Sequence, residues 1–129
     1  MENRKIILVV DDAAVNLSVC KGLLSEEFDV RLAKSGKLAL EALKRVRPDL
    51  ILLDIEMPDL NGFEVKEEIN KDAQLQNIPV IFVTSHASGK LVTKAVGQGA
   101  ADYVVKPFVP DVLLAKVYNV LRRSANARD

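Results

Sequence analysis

Five short aliphatic runs, at residues 6–10, 30–33, 50–53, 80–83 and 103–105, recur along the chain with amphipathic stretches between them. This pattern constrains the fold more than any other feature. A strand with one wet face alternates apolar and polar residues, whereas these runs are nearly continuous Val, Ile and Leu, as in strands covered on both faces. The run at 30–33 is the weakest. Between the runs the apolar residues fall three and four apart: Leu17, Cys20 and Leu24; then Ala39, Ala42, Leu43 and Val46; and later Leu113, Val117, Val120 and Leu121. Ser35 and Asp111 stand where the second and fifth helices would begin, and Gly99 follows the fourth helical pattern where a left-handed C-terminal residue is expected. A βα unit repeated five times predicts an α/β fold: one five-stranded parallel sheet with helices on both faces, since parallel strands need right-handed crossovers.

Composition closes off several classes. With 129 residues, 49% of them hydrophobic, the chain is the size of one domain with a full core. Eighteen basic and eighteen acidic residues cancel, which argues against direct nucleic-acid binding or an anionic membrane as the main partner. The single cysteine, Cys20, has no intrachain partner and lies on an apolar stripe. No signal peptide or membrane-spanning stretch is read, so a soluble, cytoplasmic domain is expected. The folded unit is taken as residues 1–124, with 125–129 a polar tail, and the whole stretch "RRSANARD" reads as a frayed end.

In an open α/β sheet the ligand crevice lies beyond the carboxyl ends of the strands. Four of the five runs deliver polar groups there: Asp11 and Asp12 after the first, Asp54 after the third, Thr84 and Ser85 after the fourth, Lys106 and Pro107 after the fifth. If the first and third strands are neighbours, three carboxylates converge and repel one another unless a cation joins them. Lys106 supplies one positive charge, and a hard divalent ion with oxygen ligands would balance the rest. Magnesium suits such a site; zinc does not, with one histidine and one cysteine far apart in sequence. The same arrangement suits an aspartate that accepts a phosphoryl group, with Asp54 the nucleophile and Lys106 and the metal holding the transferring oxygens. The dianion then leaves one negative charge unbalanced, and the Thr84 hydroxyl is the nearest donor to answer it.

"ILVVDDAAVNL", "PDLILLDIEMPDLNGFEV", "IPVIFVTS" and "GAADYVVKPF" together resemble the response-regulator receiver domains of bacterial two-component signalling, over nearly the whole chain and in the right order. The resemblance implies a doubly wound, flavodoxin-like (βα)5 fold. It implies that Asp54 is the phosphoacceptor, that Asp11, Asp12 and Asp54 hold Mg2+ together with the backbone carbonyl of Glu56, and that Lys106 pairs with the phosphoryl group. Thr84 becomes the switch hydroxyl and Tyr103 an aromatic that turns inward on activation, while the bond before Pro107 is expected to be cis. Asn61 departs from the commoner aspartate before Gly62, and Glu56 and His86 fall where the family varies. From their positions, Glu56 and His86 are expected to screen the acyl phosphate from water and so set its lifetime.

The partners implied are a sensor histidine kinase or phosphotransfer protein and an output partner or domain of unknown kind. The surface of the fourth helix, fifth strand and fifth helix, with Lys90, Lys94 and Lys116, is expected to meet that partner, or a second copy as a homodimer. The chain would catalyse only its own phosphorylation and dephosphorylation, without turnover of a small substrate. Three other classes fit less well. A phosphohydrolase with an aspartyl phosphate wants a second aspartate where Glu56 stands, and a flavin mononucleotide site wants a phosphate cradle where "DDAAVN" stands. A receiver-like module that binds without phosphorylation is the third. With no output segment read after residue 124, the chain is either a stand-alone receiver or the N-terminal piece of a longer regulator.

Overall fold

The computed structural model describes residues 3–128. Five strands, β1 (Ile6–Val10), β2 (Asp29–Ala33), β3 (Leu50–Asp54), β4 (Val80–Thr84) and β5 (Asp102–Val105), alternate with five helices, α1 (Ala14–Leu24), α2 (Gly36–Ala42), α3 (Gly62–Asn70), α4 (Gly89–Gly97) and α5 (Pro110–Arg128). All neighbouring strands pair in parallel, in the order β2-β1-β3-β4-β5, so the expected fold is the observed one. The absence of alternation in the strands has a visible cause. Leu8, Val10, Ile51 and Leu53 point into one apolar cluster with residues of α2, α3 and α4, while Ile7, Val9, Leu50 and Leu52 point into another with α1 and α5. The two edge strands are partly exposed: β5 on one side, and β2 on the other, where Asp29 and Arg31 pair with each other along the strand. That edge position accounts for the weak sequence signal of β2.

Helix ends are where the sequence pattern and the structure differ. The α2 stripe predicted through Val46 gives out at Ala42, and Lys44 and Arg45 close tighter i→i−3 bonds instead. Pro48 bars any helical continuation through Arg47, because the residue before a proline is driven out of helical geometry. Ser35 does cap α2, accepting the Leu38 N–H at 3.0 Å. At α5 the first residue is Pro110 and Asp111 lies in the first turn, where its charge meets the helix dipole without making the cap. The helix then continues to Arg128, so the polar stretch expected to fray is helical as far as the described residues run. Gly99 adopts φ +81° beyond α4, as its position predicts.

The β3–α3 connection carries the most local design. Asn61 caps α3, accepting the Glu64 N–H, while the Glu64 carboxylate accepts the Asn61 N–H, both at 2.9 Å. Gly62 follows because a Cβ there would lie 2.4 Å from the Asp54 carbonyl oxygen. The "NG" pair is therefore a βα junction that presses the start of α3 onto the end of β3. By contrast α4 is lightly attached, with Ala95 its one buried residue.

Candidate functional site

Because β1 and β3 are adjacent, with Val10 level with Leu53, their ends carry Asp11, Asp12 and Asp54 to one place. One carboxylate oxygen from each can be chosen so that all three lie within 4.8 Å of one another. Lys106, brought in beyond β5, reaches across with its ammonium 3.0 Å from Asp11 Oδ2 and 3.2 Å from Asp54 Oδ2. Asp11 Oδ1 accepts the Ala13 N–H at 2.9 Å, and Asp54 Oδ1 accepts the Glu56 N–H at 3.1 Å. The acidic pair is thus no helix cap: Ala13 is the N-cap of α1 and makes no side-chain bond. The Lys106–Pro107 bond is cis, as the resemblance implies.

The electrostatics follow from crowding. Asp54 is buried at the end of a strand buried along its whole length, and its carboxyl is pushed up to about 6, by burial first and the charge of Asp11 second. Lys106 and the Glu56 N–H pull the other way. Burial works against the Lys106 charge, yet the hydrogen bond and charge of Asp11 and the charge of Asp54 raise its pKa overall. One lysine between two carboxylates, with Asp12 exposed beside them, leaves an all-oxygen donor set with surplus negative charge. A hard divalent cation fits such a set.

Thr84 is buried at the end of β4, but its hydroxyl does not face Asp54. It lies 3.0 Å from Glu56 Oε2 and 2.8 Å from the His86 carbonyl oxygen, and Glu56 Oε1 accepts the Ser85 N–H at 3.1 Å. The His86 ring is largely exposed, 4.0 Å from the same carboxylate. Glu56 therefore joins the loop after β3 to the loop after β4. Sequence reasoning paired Glu56 with His86 but missed its grip on Thr84, since the two residues are 28 apart and nothing local marks the bond.

Tyr103 is half-buried and borders, with Thr84, Ile55, Leu91 and Ala95, a narrow space beneath α4. Lys90 is exposed, whereas Lys94 turns toward α3, its ammonium 4.5 Å from the centre of the Phe63 ring. Lys116 is bound to Asp102 and Tyr103.

This strand order, with the acid cluster and lysine at its carboxyl end, defines a class that comparison with known proteins makes specific. The family model of the response regulator receiver domain matches residues 7–118, and the chain belongs to that family of two-component signalling proteins. It is 37% identical, over 90% of its length, to a probable cyclic di-GMP phosphodiesterase of Vibrio cholerae, and 35% identical, over 94%, to the DNA-binding response regulator MtrA of Mycobacterium tuberculosis. It spans only 26% of the first and 52% of the second. The crystal structure of a CheY-like receiver domain protein from Methanospirillum hungatei superposes with a TM-score of 0.89 at 30% identity, covering 97% of this chain and 99% of that one. No helix among the described residues is long and apolar enough to cross a membrane.

Proposed function

We propose that this receiver domain takes a phosphoryl group on Asp54 from a phosphohistidine of a sensor kinase or phosphotransfer protein, and that the modification changes the α4, β5 and α5 surface presented to an output partner. The observation that carries the reading is Lys106 lying between the buried Asp11 and Asp54 carboxylates. An Asp54 oxygen attacks phosphorus, a P–O bond forms, and the P–N bond breaks with its electron pair returning to the imidazole. Lys106 meets the charge carried by the phosphoryl oxygens, and the Glu56 N–H keeps the Asp54 carboxylate oriented. Asp11, Asp12, Asp54 and the Glu56 carbonyl would hold Mg2+, which supplies further positive charge to the same oxygens. For Thr84 to donate to the phosphoryl group it must release Glu56 and the His86 carbonyl, so Glu56 sets the resting position of the hydroxyl. Once released, Glu56 with His86 screens the acyl phosphate from water and governs its lifetime.

The exposed Val96, Val105 and Val112 support the assignment of α4, β5 and α5 as a contact face, for an output partner or a second copy. The chain's chemistry is confined to its own aspartate, and an output activity belongs to whatever that face meets.

Intact mass after incubation with acetyl phosphate and magnesium tests the reading. One added phosphoryl group is expected in the wild type, and none in Asp54→Asn or without metal. No addition in the wild type, or addition to Asp54→Asn, overturns it.

A further inference from the structure

We infer that Lys116 is a positioning residue for Tyr103, holding the ring in its resting place and tying it to α5. The inference rests on the proposed phosphoryl switch and on the inward turn of Tyr103 that the family resemblance implies. β5 is the outer strand of the sheet, and the register that pairs Tyr103 with Phe82 leaves the strand's far side without a neighbouring strand. Two side chains serve the Tyr103 backbone. Asp102 Oδ1 accepts the Tyr103 N–H at 2.8 Å, and the Lys116 ammonium donates to the Tyr103 carbonyl at 2.7 Å. Lys116 also donates to Asp102 Oδ1 at 3.1 Å, which closes the clasp. The same ammonium lies 4.9 Å from the centre of the Tyr103 ring, within the range where a cation is attracted to an aromatic face.

Backbone N–H, backbone C=O and ring of Tyr103 are therefore engaged by one lysine–aspartate pair. Side chains commonly protect an open sheet edge, and that alone would account for the two backbone bonds. It would not account for the ring contact. The ring borders the narrow space below α4 that Thr84 also borders, so any rearrangement of Thr84 alters what the ring packs against. A ring drawn toward that space lengthens its separation from the Lys116 ammonium, and α5 loses the contact. Lys116 thus opposes the move in the unmodified protein and reports it to α5 when it occurs.

The sequence offers a clean reporter, because it contains no tryptophan and only two tyrosines, Tyr103 and Tyr118. Biosynthetic labelling with 3-fluorotyrosine in a Tyr118→Phe background gives a single 19F resonance, that of Tyr103. The spectrum is recorded for the parent, Lys116→Met and Lys116→Arg proteins, each alone and with magnesium and beryllofluoride as the phosphoryl probe. In the absence of beryllofluoride the Lys116→Met resonance is expected to move from the parent position toward that of the beryllofluoride form, and Lys116→Arg, which keeps the cation, to remain near the parent. An unmoved resonance in Lys116→Met, even with a lowered melting temperature, identifies Lys116 as an edge cap only and overturns the inference. An equal displacement in Lys116→Met and Lys116→Arg also overturns it. Failure of the phosphoryl reading is a separate outcome, read as no beryllofluoride response in the parent and no added mass with acetyl phosphate.

Discussion

Lys66 is buried in α3, and its ammonium finds one neutral acceptor, the side-chain oxygen of Asn70. Burial holds its pKa below the ordinary lysine value of 10.5. A group that binds its proton less tightly when folded makes stability rise with pH as the unfolded value is approached from below, because the unfolded chain then carries more protons. Lys66→Met is expected to raise stability at pH 7 by about 1 kcal/mol, since it removes a buried charge that has no ionic partner among the described residues and leaves Asn70 open to water. It should also flatten the rise in stability that the wild type shows as pH climbs toward 10.5, and denaturant melts at several pH values check both. At this scale the site was legible wherever a strand end dictates position: Asp11, Asp12, Asp54 and Lys106 follow from counting along apolar runs. Glu56 on Thr84 and Lys116 on Tyr103 were not legible, because such contacts depend on side-chain reach between segments distant in sequence.

The elements themselves announce their interiors and conceal their ends. Five runs of β-branched and aliphatic residues mark the strands, yet the stop of α2 at Ala42, the start of α5 at Pro110 and the continuation of α5 to Arg128 do not follow from periodicity. The β3–α3 junction shows how tightly an end can be specified. Gly62→Ala would set a methyl carbon 2.4 Å from the Asp54 carbonyl and 2.8 Å from Ile55 Cα, so β3 or α3 must shift. A loss of about 2–3 kcal/mol is expected, together with slower phosphorylation, since the displaced backbone carries Asp54, the proposed acceptor. Asn61→Ala, which removes only the cap, is expected to lose about 1 kcal/mol and leave the phosphorylation rate near wild type. Equal effects of the two changes on that rate would show that close packing at Gly62 does not position Asp54.

For the molecule as a whole, the acid cluster is a local conflict within a stable sheet. Asp11 and Asp54 share one lysine at the ends of two strands that the rest of the fold holds side by side. Magnesium is expected to raise the melting temperature of the wild type, and its removal by chelator to lower it. In chelator at neutral pH, Asp54→Asn should melt about 3–5 °C above the wild type, corresponding to about 1 kcal/mol of relieved repulsion. Thermal melts of both proteins with and without metal decide this, and identical melting temperatures in chelator would refute it.

The strand that bears Asp54, the proposed acceptor, is central and buried along its length, whereas α4 has one buried residue. Opening free energies within a fold scale with such burial, so α4 belongs to the part that detaches at least expense and β3 to the part that opens only when everything does. Chemistry is thus placed where the backbone is slowest to yield, and adaptability where it is quickest. Selection can remodel the outer helix for a new partner while the proposed phosphoryl site, held by the carboxyl ends of the strands, keeps its geometry.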